Sequence, residues 1–391
     1  MGKATMQTAA ASTDAVDARE AARQLASDIV RALGREPLAL MVFASPSYDH
    51  AALLDELAVH CPTALVVGAS SAGEFMNHEL GEGLACALGL AGEDVRFGVG
   101  VARDVAGGVA EAARQIASGF AGLTDFAFPH RSALVMADAL AGHADVLVDE
   151  LTIATGGQYQ FFGGGAGDNA QFQRTSVFAG REVLNGAAVA LEMLTTKPLG
   201  IGVRHGWAPA SVPFRVTEAE GMRLVSLNGL PAVEVFETFA ATTGQILDRA
   251  TPIPFFLHNI LGIESGGSQR LRVPLAVLPD GSILCAAEVP EGAIVYIMRA
   301  SVASAVEAAQ EAAHAAIAAL GGLKPQAALF FDCVATRLRM GDQFSNEVAT
   351  VRGQLGGADL VGCNTHGQIA RAEGQFGGFH NCTAVVVVVP A

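Results

Sequence analysis

One order of elements recurs three times along the chain, and that recurrence limits the fold more than any other feature. Hydrophobic periodicity predicts a helix over Asp17 to Leu33, a strand over Pro37 to Ala44, a helix over His50 to His60 and a strand over Ala64 to Val67. The Gly loop Gly68-Ala-Ser-Ser-Ala-Gly73-Glu74 follows. The same order returns with a helix at Val105 to Phe120, a strand at Ala133 to Ala137, a helix at His143 to Thr155 and a strand at Gln158 to Phe162. Its loop is Gly163-Gly-Gly-Ala-Gly167-Asp168. The third copy has a helix at Ser301 to Leu320, a strand at Ala327 to Cys333, a helix at Gln343 to Gln354 and a strand at Ala358 to Val361. Gly362-Cys-Asn-Thr-His-Gly367-Gln368 closes it. Further strands are expected after each loop, at Gly83 to Leu90, Gly186 to Leu194 and Thr383 to Val389. Alternating helical and strand periods specify an α/β protein of layered sheets covered by Ala-rich helices, with a repeated helix-strand-helix-strand-Gly-loop unit.

A mainly β stretch interrupts the series. Phe214 to Thr217, Met222 to Leu227, Arg272 to Val277, Ser282 to Ala286 and Ala293 to Met298 read as short strands, with hairpin signals at Asn228-Gly229 and Asp280-Gly281. Pro198 to Pro213 marks a domain boundary. The chain divides on this reading into a loose arm over 1–16 and domains over 17–200 and 201–391.

Composition excludes several classes. With 51% hydrophobic and 16% charged residues in 391, the chain is neither disordered nor a coiled coil, and it can bury a large core without staples. A formal charge of −15 argues against nucleic acid and acidic membranes. Six separately placed cysteines in apolar stretches read as reduced, buried thiols. No apolar h-region opens the chain and no apolar run reaches 18 residues, so a cytoplasmic location is expected.

Chemistry is less plainly written. The Gly loops end in Glu74, Asp168 and Gln368, and Gly73, Gly167 and Gly367 permit positive φ or close backbone approach. Exposed loop amides there can cradle a small polar ligand, or each acceptor can tie its own turn to a neighbouring layer. No P-loop, nucleophile elbow or His-Glu-x-x-His is present, so no catalytic residues are assigned. Cys363, His366, His380 and Cys382 have ligand-like types, but core or loop positions account for them and no metal is assigned. A b-type haem would need an axial side chain in apolar surroundings. His258 in Pro254-Phe-Phe-Leu-His258 is the first candidate and His205 in Arg204-His-Gly-Trp207 the second.

Taken together, Pro37-Leu-Ala-Leu-Met-Val-Phe-Ala-Ser45 and Val67-Gly-Ala-Ser-Ser-Ala-Gly73-Glu74 resemble a FIST N-terminal domain. His205-Gly-Trp207, Leu227-Asn-Gly-Leu-Pro-Ala232, Asp280-Gly-Ser282, Val289-Pro-Glu-Gly292, Val361-Gly362 to Gly367 and His380-Asn-Cys-Thr383 resemble a FIST C domain. The resemblance implies an intracellular, non-enzymatic sensor of small ligands that regulates a partner signalling protein such as a histidine kinase. Its layout is similar to that of stand-alone nitric-oxide-sensing haem proteins. On that analogy haem b would be held by His258 or His205 against Phe255, Phe256 and Leu257, with Arg270 or Arg272 on its propionates. Gln368 departs from the pattern, which generally carries Glu there. A cofactor-free interaction adaptor, a sensor of another small ligand such as an amino acid, and an enzyme using Glu74 or Asp168 with a His are the alternatives.

Overall fold

The computed structural model describes residues 5–266, 268–372 and 378–391. Its three units follow one plan, and each begins with an edge strand. Unit one runs from the edge strand Gln7–Thr13 through the helix Ala18–Leu33, the strand Ala39–Ala44, the helix His50–His60 and the strand Leu65–Ser70. A hairpin of Glu74–Met76 and Glu79–Gly81 follows, then the return strand Ala85–Ala91. Unit two repeats this with Val95–Ala102, Val109–Ser118, His130–Ala137, Ala144–Ala154, Gln160–Gly165, the hairpin Val177–Ala179 and Glu182–Leu184, and Ala188–Thr195. Unit three begins at Gly200–Arg204 and resumes at Val302–Ala319, with Pro325–Cys333, Val334–Met340, Phe344–Gln354 and Asp359–Thr365. Its hairpin is Gln368–Arg371 and Gly378–His380, and it ends on Ala384–Pro390. The α/β class and the order of elements agree with the sequence.

Residues 1–16 were expected as a loose arm, yet Gln7–Thr13 pairs antiparallel along the whole of Ala85–Ala91. Its alternating Ala side chains enter the core at Ala9 and Ala11, a period-2 signal masked by small residues.

In every unit the two central strands are parallel, and the sheet is completed by a hairpin from another unit. The unit-one hairpin pairs with Asp359–Thr365, the unit-two hairpin with Leu65–Ser70, and the unit-three hairpin with Gln160–Gly165. Three interlocked six-stranded sheets result. Their inner faces share one core in which Met41, Phe43, Leu134, Phe162, Leu329, Phe331 and Val387 meet. Phe43 and Phe331 meet edge to face at 5.5 Å. The outer faces are covered by the helices, whose small residues allow close approach: Ala309, Ala312, Ala313 and Ala316 of one helix are fully buried. Starts are capped by Asp17, Asp49 and Ser301 side chains.

The second central strand of each unit runs further than the sequence indicates, so the first glycine of each loop lies inside a strand. A Cβ on Gly68, Gly163 or Gly362 would fall 1.8, 2.1 or 2.2 Å from the carbonyl oxygens of Val42, Val135 and Phe330. These glycines mark close strand packing rather than the start of a turn.

Between the first strand and first helix of unit three lies the β-rich insertion. It forms a nine-stranded sheet with the helix Ala232–Thr242 packed on it. The strand Ile260–Ser265 and its partner Ser268–Arg272 were not anticipated; they add a hairpin beside Ile294–Arg299. No helix among the described residues is long and apolar enough to cross a membrane.

Candidate functional site

At the carboxyl ends of the parallel strands the three units close on one another through backbone hydrogen bonds. Ala72 N–H donates to Asn364 O (2.9 Å) and Asn364 N–H to Gly73 O (2.8 Å). Gly167 N–H donates to Ser70 O (2.8 Å) and Ser70 N–H to Ser176 O (2.9 Å). His366 N–H donates to Gly165 O (3.0 Å) and Gly165 N–H to Gly367 O (2.9 Å). A Cβ on Gly167 would sit 2.7 Å from Ala72 N, which is why the close approach requires glycine.

Within this ring Glu74 and Gln368 act as staples. The Glu74 carboxylate accepts from the Ser71 hydroxyl and from Leu84 N–H, at the start of its return strand. Gln368 donates to Thr365 Oγ1 (2.9 Å) and accepts from Thr383 N–H (3.3 Å) in the same relation. Burial pushes Glu74 up to about 7. Both side chains are fully buried.

Asp168 does something else. Unit two carries extra residues between its loop and its hairpin, and the two Asp168 oxygens accept from the N–H groups of Phe172 (3.0 Å), Gln173 (2.7 Å) and Arg174 (3.0 Å). Asn169, Ala170 and Phe172 hold φ of 54°, 60° and 52°, a left-handed cluster unusual for side-chain-bearing residues. His366 stacks on Phe172 with centroids 4.7 Å apart, and its Nε2 lies 3.4 Å from Asp168 Oδ1. Burial pulls this histidine down to about 4, so it is neutral.

Open α/β sheets bind ligands beyond the carboxyl ends of their strands. Three related crevices exist here, one after the first central strand of each unit, and the β-rich insertion treats them unequally. In unit two it lays Met222 and Ala286 to Glu288 against the start of the Ala144–Ala154 helix, leaving about 10 Å³. In unit three Trp207 and, from the unit's own Val334–Met340 helix, Arg339 close over Asp332, again leaving about 10 Å³. In unit one a cleft of about 420 Å³ stays open between Pro46 to Ala51 and the Asp168 to Ser176 segment.

That cleft is lined by Arg174, Asp49, His50, Asp168 and Tyr48, of which Arg174 and Asp49 are exposed. Tyr48 Oη is buried without a hydrogen-bond partner among the described residues, and burial pushes its phenol up to about 12. His50 Nε2 donates to Ser45 O (2.9 Å) and its ring packs on Phe178 (4.9 Å); burial lowers its pKa. Nδ1 is left as an acceptor. The exposed charges of both signs, Arg174 and Asp49, suit a small polar molecule carrying an anionic and a cationic group.

Sequence reasoning singled out Asp168 but not Tyr48, Asp49, His50 or Arg174. The signal available was the N-cap Asp49 in the short turn after a buried strand; the partner segment at Arg174 is distant in sequence. Of the remaining sequence candidates, His258 is exposed beside Arg299 and Arg339, while the neighbouring Phe255 and Phe256 rings pack on Phe236. His205 Nε2 donates to Gln269 O (3.1 Å) and its Nδ1 accepts from Trp207 N–H (3.3 Å). Arg272 is 1% exposed, paired with Asp145 and bonded to the carbonyls of Glu288 and Leu271, while Arg270 lies near Asp145 and His380. These residues do not fit haem: among the described residues His258 is exposed, His205 lines a cavity of only about 10 Å³, and the buried Arg272 is already committed. Cys363, His366, His380 and Cys382 are dispersed as well, next to Cys86, Phe172, Arg270 and Cys333 respectively.

Among solved structures, cyanuric acid hydrolase from A. caulinodans aligns over 99% of both chains with 11% identity and a TM-score of 0.37. Phosphoribosylformylglycinamidine synthase II from Thermotoga maritima aligns over 98% of this chain and 72% of its own with 12% identity and a TM-score of 0.23. Uncharacterized proteins from Mycobacterium bovis and Mycobacterium tuberculosis are each 25% identical over 215 residues, 54% of this chain and 55% of theirs, so the match spans about half the length of these curated relatives. Family models match far more of the chain, a FIST N domain over residues 38–230 and a FIST C domain over 232–371, and the protein therefore belongs to the FIST family of signal-transduction sensor domains.

Proposed function

We propose that this protein is a non-catalytic sensor that binds a small zwitterionic ligand of the amino-acid type in the unit-one cleft and thereby regulates a signalling partner such as a histidine kinase. One observation carries the reading: of three related crevices, two are filled and the one lined by Arg174 and Asp49 stays open. Arg174 offers a carboxylate partner and Asp49 an ammonium partner. Signal output requires that the ligand favour one of two conformations. The Asp168 to Ser176 segment is the element placed to differ, since it forms one wall of the cleft and reaches His366 of unit three.

Haem has no part in this reading. The test is calorimetric titration of the full chain with a panel of free amino acids. At least one is expected to bind saturably, with affinity reduced at least about tenfold by Arg174→Ala, the range for losing one charged hydrogen bond. Absence of binding across the panel, or binding indifferent to Arg174→Ala, overturns the reading.

A further inference from the structure

Two segments of chain join the β-rich insertion to unit three, one leaving after Gly200–Arg204 and one returning before Val302–Ala319. Arg339, on the Val334–Met340 helix of unit three, touches both. Its guanidinium lies 5.1 Å from the Trp207 ring centroid on the outgoing segment, and its Nη1 donates to the Ala300 carbonyl (3.3 Å) on the returning one. An indole face and a backbone carbonyl thus share one cation.

Arg339 also lines the unit-three cavity of about 10 Å³, together with Asp332 and Glu347. Asp332 comes from the Pro325–Cys333 strand and Glu347 from the Phe344–Gln354 helix, and the two are 1% and 2% exposed. Four atoms of these three side chains are buried without a hydrogen-bond partner among the described residues: Asp332 Oδ2, Glu347 Oε2, Arg339 Nε and Arg339 Nη2. Those nitrogens therefore make no direct bond to either carboxyl. Leaving buried charged groups unpaired is costly, and a gap between cation and carboxyl too wide for a direct bond is where water bridges. The cavity is at the size of one water, and two acceptors with two donors match the two protons and two lone pairs that a water offers. The other basic groups lining it are committed elsewhere: Arg204 Nη1 donates to Val203 O (2.7 Å) and His205 Nε2 to Gln269 O (3.1 Å).

We propose that this cavity binds a single internal water that ties Arg339 to Asp332 and Glu347, and that the bridged cluster is the latch fastening both connecting segments of the insertion to unit three. The water donates to Asp332 Oδ2 and Glu347 Oε2 and accepts from Arg339 Nε and Nη2. Carboxyls from a central strand and from a covering helix thereby supply the counter-charge of a guanidinium whose other contacts are Trp207 and Ala300. The insertion then cannot part from unit three without breaking a buried charged network. This site is independent of ligand binding in the unit-one cleft.

A crystal structure of the full, unaltered chain tests the water. One ordered water within about 3.2 Å of an oxygen of each acid and of an Arg339 nitrogen is expected. A dry cavity, or Arg339 bonded directly to either carboxyl, overturns the site. The latch is read from Trp207, the single tryptophan of the chain. Acrylamide quenching of its fluorescence should rise at least about twofold in Arg339→Met and stay unchanged in Arg337→Met, whose guanidinium on the same helix pairs with Glu82 instead. Arg339→Lys keeps the charge and serves where Arg339→Met does not fold. It should show the same rise, because one ammonium cannot serve the water, the Ala300 carbonyl and the indole face together. No rise in the Arg339 variant, or an equal rise in Arg337→Met, overturns the latch.

Discussion

Glu74 and Gln368 occupy the same place in two units: each bonds the hydroxyl three residues before it, Ser71 or Thr365, and each accepts the N–H that precedes its return strand. One staple is a carboxyl, the other an amide. The amide satisfies both partners without ever bearing charge.

Glu74 therefore makes stability pH-dependent where Gln368 does not. Its folded pKa lies near 7 against an ordinary 4.5, because burial penalises the carboxylate. A raised acid binds its proton more tightly in the folded state, so stability is lost as pH rises from about 4.5 through about 7. At 1.36 kcal/mol per unit the loss is about 3 kcal/mol. Glu74→Gln should raise the urea midpoint at pH 8 by an amount corresponding to about 2–3 kcal/mol and leave it nearly unchanged at pH 4.5. Equal effects at both values would disprove the assignment.

Gly163 and Gly353 provide a paired test of packing. A methyl at Gly163 meets the Val135 carbonyl oxygen at 2.1 Å, within a strand pair that has no room to separate. Gly163→Ala should cost at least about 3 kcal/mol or abolish folding. Gly353 lies exposed in the Phe344–Gln354 helix with nothing within 4 Å of its Cβ position. Gly353→Ala should stabilise by about 0.5–1 kcal/mol through the helical preference of alanine. Thermal unfolding of the two variants distinguishes these signs.

Arg272 joins the β-rich insertion to unit two. Its guanidinium pairs with Asp145 at the first turn of the Ala144–Ala154 helix, and burial shifts both groups toward their neutral forms against their mutual attraction. Removing one member strands the other. Arg272→Met should destabilise by about 3–5 kcal/mol, whereas Arg272→Met with Asp145→Leu should recover most of that loss. Chemical denaturation of the single and double variants gives the coupling; a single-variant effect below about 1 kcal/mol would show that the pair does not anchor the insertion.

Local chemistry was sufficient for the units themselves. The Ala-rich helices, the buried strands and the hairpin signals at Asn228-Gly229 and Asp280-Gly281 are short-range patterns, and they placed the three-fold series and the interruption within it. The FIST likeness of the loops was readable for the same reason. The glycine count was legible but its meaning was not, because Gly68, Gly163 and Gly362 answer to carbonyls on another strand.

What only tertiary structure decided is which residues meet. Exchange of hairpins among the units puts Asp168 beside His366 and carries Arg174 to Tyr48, separations of well over 100 residues that no local period records. The insertion then fills two crevices and spares one, a matter of where its Trp207 and Arg272 land. Cys363 and Cys382 look alike in sequence, each a single cysteine in an apolar stretch, yet packing sets Cys363 in the common core and Cys382 in a separate cluster with Trp207 and Met298. Periodicity fixes which face of an element is apolar; the partner of that face is set by packing of all three units at once.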